Sequence, residues 1–138
     1  MNYKNYLWDV FKKSSINRNF ELNVFKYVKD KKINLPTYLS AGQETISASL
    51  ASICSKKKIK PLIFGQHRCH STYLAFGGDK KKLIDELLEK STGCTKGMGG
   101  SASINSKKIN MYGHDGLMGS NGPVGVGACY ATKKPTII

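Results

Sequence analysis

Between Gly93 and Gly127 the chain carries two glycine clusters, and these constrain its fold more than any other feature. The first reads Gly93-Cys-Thr-Lys-Gly-Met-Gly-Gly-Ser101. The second reads Gly113-His-Asp-Gly-Leu-Met-Gly-Ser-Asn-Gly-Pro-Val-Gly-Val-Gly127. Together with a lead-in at Phe64–Ser71 they hold eleven of the fourteen glycines. Glycine lets backbone amides approach a partner closely and adopts positive φ at little cost, but it weakens ordinary helices and strands. Such a concentration either shapes a surface for something anionic or flat, or marks a merely loop-rich region.

Around this stretch the apolar spacing predicts a short α/β chain. Tyr3, Tyr6, Leu7, Val10 and Phe11 recur at helical intervals, Ser14 and Ser15 interrupt them, and a second helix is expected over residues 17–30 with Phe20, Val24, Phe25 and Val28 inward. Ser40 and Gln43 fit a capping box for a helix opened by Glu44, with Ile46, Leu50 and Ile53 on its buried face. Pro61-Leu-Ile-Phe64 reads as a buried strand that delivers Gly65-Gln-His-Arg-Cys-His-Ser71 at its C-terminal end, where open α/β sheets place ligand groups. A helical turn follows over residues 71–76. Asp79 caps an amphipathic helix to about Lys90, with Glu86 and Lys90 as an i,i+4 pair. Gly122-Pro-Val opens a last helix to about Thr132, and Pro135-Thr-Ile-Ile138 begins a core strand.

Composition narrows the function classes. At 138 residues a single domain is the natural expectation. No apolar run reaches membrane-span length, so no membrane partner is expected. The N-terminus lacks a signal-peptide h-region, which makes a cytoplasmic location the expectation. The net charge of +13 invites a nucleic-acid reading. Against it, 20 of the 22 basic residues are Lys, with Arg18 and Arg68 the exceptions, and they are spread along the chain, 12 in residues 1–60 and 10 in residues 61–138. Base and phosphate readers lean on the arginine fork. Cys54, Cys69, Cys94 and Cys129 are widely separated and suit free thiols. His67, Cys69 and His70 cluster, but no further ligands join them, and no metal site is expected.

Taken in order, Gly42-Gln-Glu44, His67-Arg-Cys-His70, Gly93-Cys-Thr-Lys-Gly-Met-Gly-Gly-Ser101 and Gly116-Leu-Met-Gly119 with Pro123 resemble the N-terminal part of the alpha subunit of thiamine-diphosphate-dependent 2-oxo acid dehydrogenases. Arg18-Asn-Phe-Glu21 is similar to the family's Arg-x-Phe-Glu helix, so the resemblance covers nearly the whole chain. It implies an incomplete three-layer thiamine-diphosphate-binding fold, with a short parallel sheet flanked by helices. It implies oxidative decarboxylation of a 2-oxo acid with transfer of the acyl group to a lipoyl carrier protein, in a heterotetramer with a beta subunit. By the same resemblance, Arg68 and His67 are expected to contact the cofactor diphosphate, although relatives usually carry tyrosine where His67 stands. Gly116, Leu117 and Met118 are expected at the aminopyrimidine, the main chain bonding the ring and the Met118 side chain wedging the cofactor into its bent form. His70 is expected as a catalytic neighbour.

Tyr38 stands where relatives often have histidine, and Ala102-Ser103 replaces a common Met-His. The family's Gly-Asp-Gly magnesium motif would begin just past Ile138. The expectation is therefore residues 1–138 as the N-terminal part of a thiamine-diphosphate-binding domain, ending before that motif. Mg²⁺ would belong to the complete family member only. Such a chain reads as a truncated or split subunit, inert by itself and completed by a beta subunit and a C-terminal complementing chain. The alternatives are a transketolase-like half-subunit acting on sugars and a non-catalytic remnant.

Overall fold

A computed structural model describes residues 3–113 and 116–138. His114 and Asp115 of the second glycine cluster lie outside the described residues. The elements are α1 (Tyr3–Lys29), α2 (Glu44–Lys56), β1 (Leu62–Phe64), α3 (His70–Ala75), α4 (Lys80–Leu87), β2 (Met111–Tyr112), α5 (Asn121–Thr132) and β3 (Thr136–Ile137). The strands form a parallel sheet in the order β2-β1-β3, with Ile63 opposite both Met111 and Ile137. Helices flank it, as expected for an incomplete α/β fold. Among the described residues no helix is long and apolar enough to cross a membrane.

Centrally placed β1 is buried at every residue, which suits a continuous apolar run. Its Ile63 joins Phe20 and Val24 of α1, Tyr73 of α3, Leu83 and Leu87 of α4, and Ile104 and Met111 in one core. The chain reaches α4 through Gly77-Gly78. Asp79 Oδ1 then accepts the amides of Lys81 and Lys82 at 2.8 and 3.2 Å, capping α4 as its sequence predicts.

Three local expectations are corrected. Ser14 and Ser15 do not break the first helix, and α1 runs uninterrupted for 27 residues. Its inward set is Val10, Asn17, Phe20, Glu21 and Val24, whereas Leu7, Phe11 and Phe25 face outward. The capping box does not form, because Gln43 is the residue preceding α2 and makes no side-chain cap, and Ser40 is recruited elsewhere. Finally, α2 turns its small face inward. Ser47, Ala48, Ala51 and Ser52 are buried against α1 and α3, and Ile46 is 65 % exposed. Small side chains let helix axes approach closely, and here that outweighs the apolar stripe on the other side.

Too short for any periodicity to mark it, β2 has two residues that follow the polar segment 105–110 and a 3-10 turn at Lys107–Ile109. In α5, Gly125 is buried because a Cβ there would lie 2.6 Å from Ile138 Cδ1, whereas Gly127 has nothing within 4 Å of its missing Cβ. Gly127→Ala is therefore expected to stabilise the chain by about 0.5–1 kcal/mol through helix propensity. Gly125→Ala should gain less, because its Cβ must displace the Ile138 side chain. Thermal denaturation of the two variants reads the difference, and equal gains would contradict this packing.

Candidate cofactor site

The motifs that are far apart in sequence meet in one buried polar network. Glu21, 1 % exposed on the inward face of α1, receives the Ser40 hydroxyl, the Ser40 amide at 3.2 Å and His70 Nδ1 at 3.2 Å. A carboxylate only accepts, so Nδ1 carries the proton of that contact. His70 Nε2 lies 2.9 Å from Ser101 Oγ, which also accepts the Tyr38 amide at 2.8 Å. The Ser101 hydroxyl can donate to Nε2 or accept from it, so it holds this edge of the ring as Glu21 holds the other. Ser40 Oγ accepts the Ser71 amide at 3.0 Å, and Asn17 donates to the Ser71 carbonyl at 3.1 Å. Phe20 presents an edge-to-face ring 6.1 Å from His70. His70 is fully buried, with both ring nitrogens engaged by protein.

A second link joins α1 to α2. Arg18 donates through Nε and Nη2 to the two Glu44 oxygens, and Glu44 Oε2 also accepts the Gly42 amide at 3.0 Å. The Arg18 hydrogen bond holds the Glu44 carboxyl below its ordinary range against the opposing effect of burial. Gly42 has φ +92°, a left-handed turn that favours glycine.

The first glycine cluster does bind an anion, and the anion is internal. Glu86 is fully buried, and its carboxylate accepts the amides of Thr95 at 2.7 Å, Gly97 at 3.0 Å, Gly99 at 2.8 Å and Gly100 at 3.1 Å. The loop closes so tightly that a Cβ on Gly93 would sit 2.4 Å from Glu86 Oε2 and 2.7 Å from its Cα. Gly97 and Gly100 take positive φ to aim their amides inward. Burial alone would raise the Glu86 carboxyl, but the Thr95, Gly97 and Gly99 donors outweigh it and hold it below its ordinary value. The expected Glu86–Lys90 pair is thereby corrected: Lys90 Nζ lies 3.5 Å from Asp85 instead.

The expected cofactor residues lie at the C-terminal end of β1, outside this buried framework. Arg68 is exposed and lines a cavity of about 180 Å³ with Gln43, Gln66 and Thr72. His67 is half-buried, its ring edge-on to Tyr38 with centroids 5.0 Å apart. Asn121, at the start of α5, donates to the Gly65 carbonyl at 2.8 Å and so ties the second glycine cluster to the same end of β1. In that cluster Leu117 and Met118 are 70 % and 68 % exposed. Gly116 and Gly119 have φ +99° and +89°, with open space at both missing Cβ positions. This backbone is open to solvent, and a guanidinium such as that of Arg68, exposed just past β1, is a group that suits a diphosphate. The donor set fits the organic cofactor. Among the described residues no group of three or more His, Cys, Asp or Glu could hold a metal ion. Burial pushes the Cys69 thiol up to about 12 and the Cys94 thiol up to about 11, which disfavours the thiolate form of both.

The profile of the family described as dehydrogenase E1 component matches residues 12–136. The chain is 32 % identical over 123 residues to the mitochondrial pyruvate dehydrogenase E1 component subunit alpha-1 of Oryza sativa subsp. japonica, covering 89 % of this chain and 31 % of the relative. It is 33 % identical over 136 residues to the mitochondrial pyruvate dehydrogenase E1 alpha subunit of Schizosaccharomyces pombe, covering 96 % and 32 %. To that of Dictyostelium discoideum it is 37 % identical over 105 residues, covering 76 % and 26 %. It thus spans about a third of the length of the curated relatives it matches. These relatives are mitochondrial by name, which overturns the expected cytoplasmic location. With its motifs joined in one framework and the family profile matched over almost its whole length, the chain belongs to the dehydrogenase E1 component family.

Proposed function

We propose that this chain supplies the diphosphate- and aminopyrimidine-facing part of a thiamine diphosphate site in an enzyme that oxidatively decarboxylates a 2-oxo acid. The observation that carries this reading is the joining of the Arg18–Glu21, Ser40–Glu44, His67–His70 and Gly99–Ser101 segments beneath the C-terminal end of β1, where Arg68 is exposed. The cofactor, when bound, supplies the carbanion chemistry, and the protein supplies geometry and electrostatics. Arg68 offers its planar fork to the diphosphate and His67 a ring N–H. The main chain at Gly116, Leu117 and Met118 would bond the aminopyrimidine, and the exposed Met118 side chain would pack against the cofactor. His70, expected as a catalytic neighbour, takes a positioning role, since its ring is fully buried and occupied on both sides.

The exposure of Arg68, Leu117 and Met118 motivates the partner part of the proposal. Decarboxylation of this kind needs a site closed to water, and these side chains face outward. A beta subunit, together with the region corresponding to the rest of the relatives' length, closes the site and supplies Mg²⁺ ligands, and a lipoyl carrier receives the acyl group. The relatives compared are pyruvate dehydrogenase alpha subunits, which favours a 2-oxo acid over the sugar alternative.

Calorimetric titration of thiamine diphosphate and Mg²⁺ into the chain mixed with a candidate beta chain tests this. Arg68→Ala is expected to weaken binding about tenfold to a hundredfold, the value of a charge-assisted hydrogen-bond pair. Unchanged affinity would remove Arg68 from the site. Decarboxylation of a 2-oxo acid by the 138-residue chain alone would refute the need for a closing partner.

A further inference from the structure

Resting on the reading that His67 faces the cofactor diphosphate, we infer that Ser101 is a positioning residue for that histidine, acting through Tyr38. Ser101 is the last residue of the first glycine cluster and is 1 % exposed. Its hydroxyl joins His70 Nε2, at 2.9 Å, to the Tyr38 amide, at 2.8 Å. The Tyr38 ring stands edge-on against His67 at 5.0 Å with an interplanar angle of 75°. The loop that delivers Ser101 is itself immobilised by Glu86, which holds the Gly99 and Gly100 amides immediately before it. From the other side, Glu21 fixes the His70 ring that Ser101 addresses.

A continuous path therefore runs from two buried carboxylates, through one hydroxyl and one main-chain amide, to the ring at the site's edge. The Tyr38 backbone, not its phenol, is the part gripped. The first glycine cluster thus orients the site from behind instead of touching ligand. Support of this kind sets the productive geometry of groups that do touch ligand.

Nuclear magnetic resonance of the isotope-labelled 138-residue chain tests the inference, with the His67 ring protons as reporters of the Tyr38 ring current. Ser101→Ala and Tyr38→Ala are each expected to shift those resonances, whereas Tyr38→Phe, which keeps the ring and the amide, leaves them in place. His70→Gln retains an acceptor near the Nε2 position and is expected to shift them less than Ser101→Ala. The amides of Gly97 and Gly99, bonded to Glu86, report whether the loop keeps its fold. Their unchanged shifts in Ser101→Ala would show that the effect on His67 is local. His67 resonances that ignore Ser101→Ala would overturn the inference, as would Gly97 and Gly99 shifts that move as far as those of His67.

Inorganic pyrophosphate separates this inference from the reading beneath it. It is expected to perturb His67 in the wild-type chain, less in Ser101→Ala, and not in Arg68→Ala. No perturbation of the wild-type chain would sink the diphosphate assignment, and with it the inference as framed, even if the ring-current shifts stood.

Discussion

Glu86→Ala is expected to lower the unfolding free energy by about 3–5 kcal/mol, because four buried amide donors lose their one acceptor. The variant strands the amides of Thr95, Gly97, Gly99 and Gly100 in the interior with no acceptor. An unsatisfied buried donor costs about 1–3 kcal/mol, and water entering the vacated space offsets part of that sum. Against a typical total stability of about 5–15 kcal/mol, the loss is large enough to leave the loop unfolded at modest urea. Glu86→Gln should fall between the two, because its amide keeps one acceptor oxygen but turns two N–H donors toward backbone donors.

The sign with pH follows from the depressed carboxyl. Its stabilisation is fully present above the ordinary value of 4.5 and is lost as pH falls through the lower folded value. The urea midpoint of the wild type should therefore converge on that of Glu86→Gln as the pH is taken from 7 into that acid range. Parallel pH profiles for the two proteins would mean that the loop does not depend on the charge.

How much of this was legible in the sequence depended on which side chains declared their partners locally. Asp79 sits directly before the amides it caps, and the strand at residues 62–64 is a plain apolar run, so both could be read directly. Glu86 could not. Its partners lie nine to fourteen residues downstream, and the nearest cation, Lys90, offered a local pairing that the fold does not use. Ser40 misled in the same way, since its spacing to Gln43 imitates a cap while its hydroxyl serves Glu21. On α2 the apolar periodicity was real but pointed outward, because the partner helix selects small residues for close approach and periodicity carries no information about the partner. The α1 break at Ser14 and Ser15 was a local inference that 27 residues of tertiary support override. At the candidate site, Arg68 and the Gly116–Met118 backbone are singled out by resemblance alone, and in the structure Arg68, Leu117 and Met118 are exposed. The network beneath them joins residues whose nearest partners are 19, 31, 49 and 63 positions apart, a separation that a single sequence does not reveal.

Glu21→Ala tests whether that network behaves as a unit. The substitution removes the acceptor for the Ser40 hydroxyl, the Ser40 amide and His70 Nδ1, all in the interior. A loss of about 3 kcal/mol or more is expected, visible as a fall in melting temperature and urea midpoint. Truncating His70 as well removes one of the stranded donors, so the double variant should be less destabilised than the sum of the single changes. Residues that share a hydrogen-bond network couple by about 0.5–3 kcal/mol, whereas independent sites add to within about 0.5 kcal/mol. Additive losses for Glu21→Ala and His70→Ala would mean that the carboxylate and the imidazole support the fold separately. The path from α1 to Ser101 would then not transmit orientation to the site. Coupling between them, with the Glu86-bonded amides of Gly97 and Gly99 unmoved, would assign the two buried carboxylates distinct tasks. Glu86 would shape the loop, and Glu21 would hold the ring on which the loop's last residue rests.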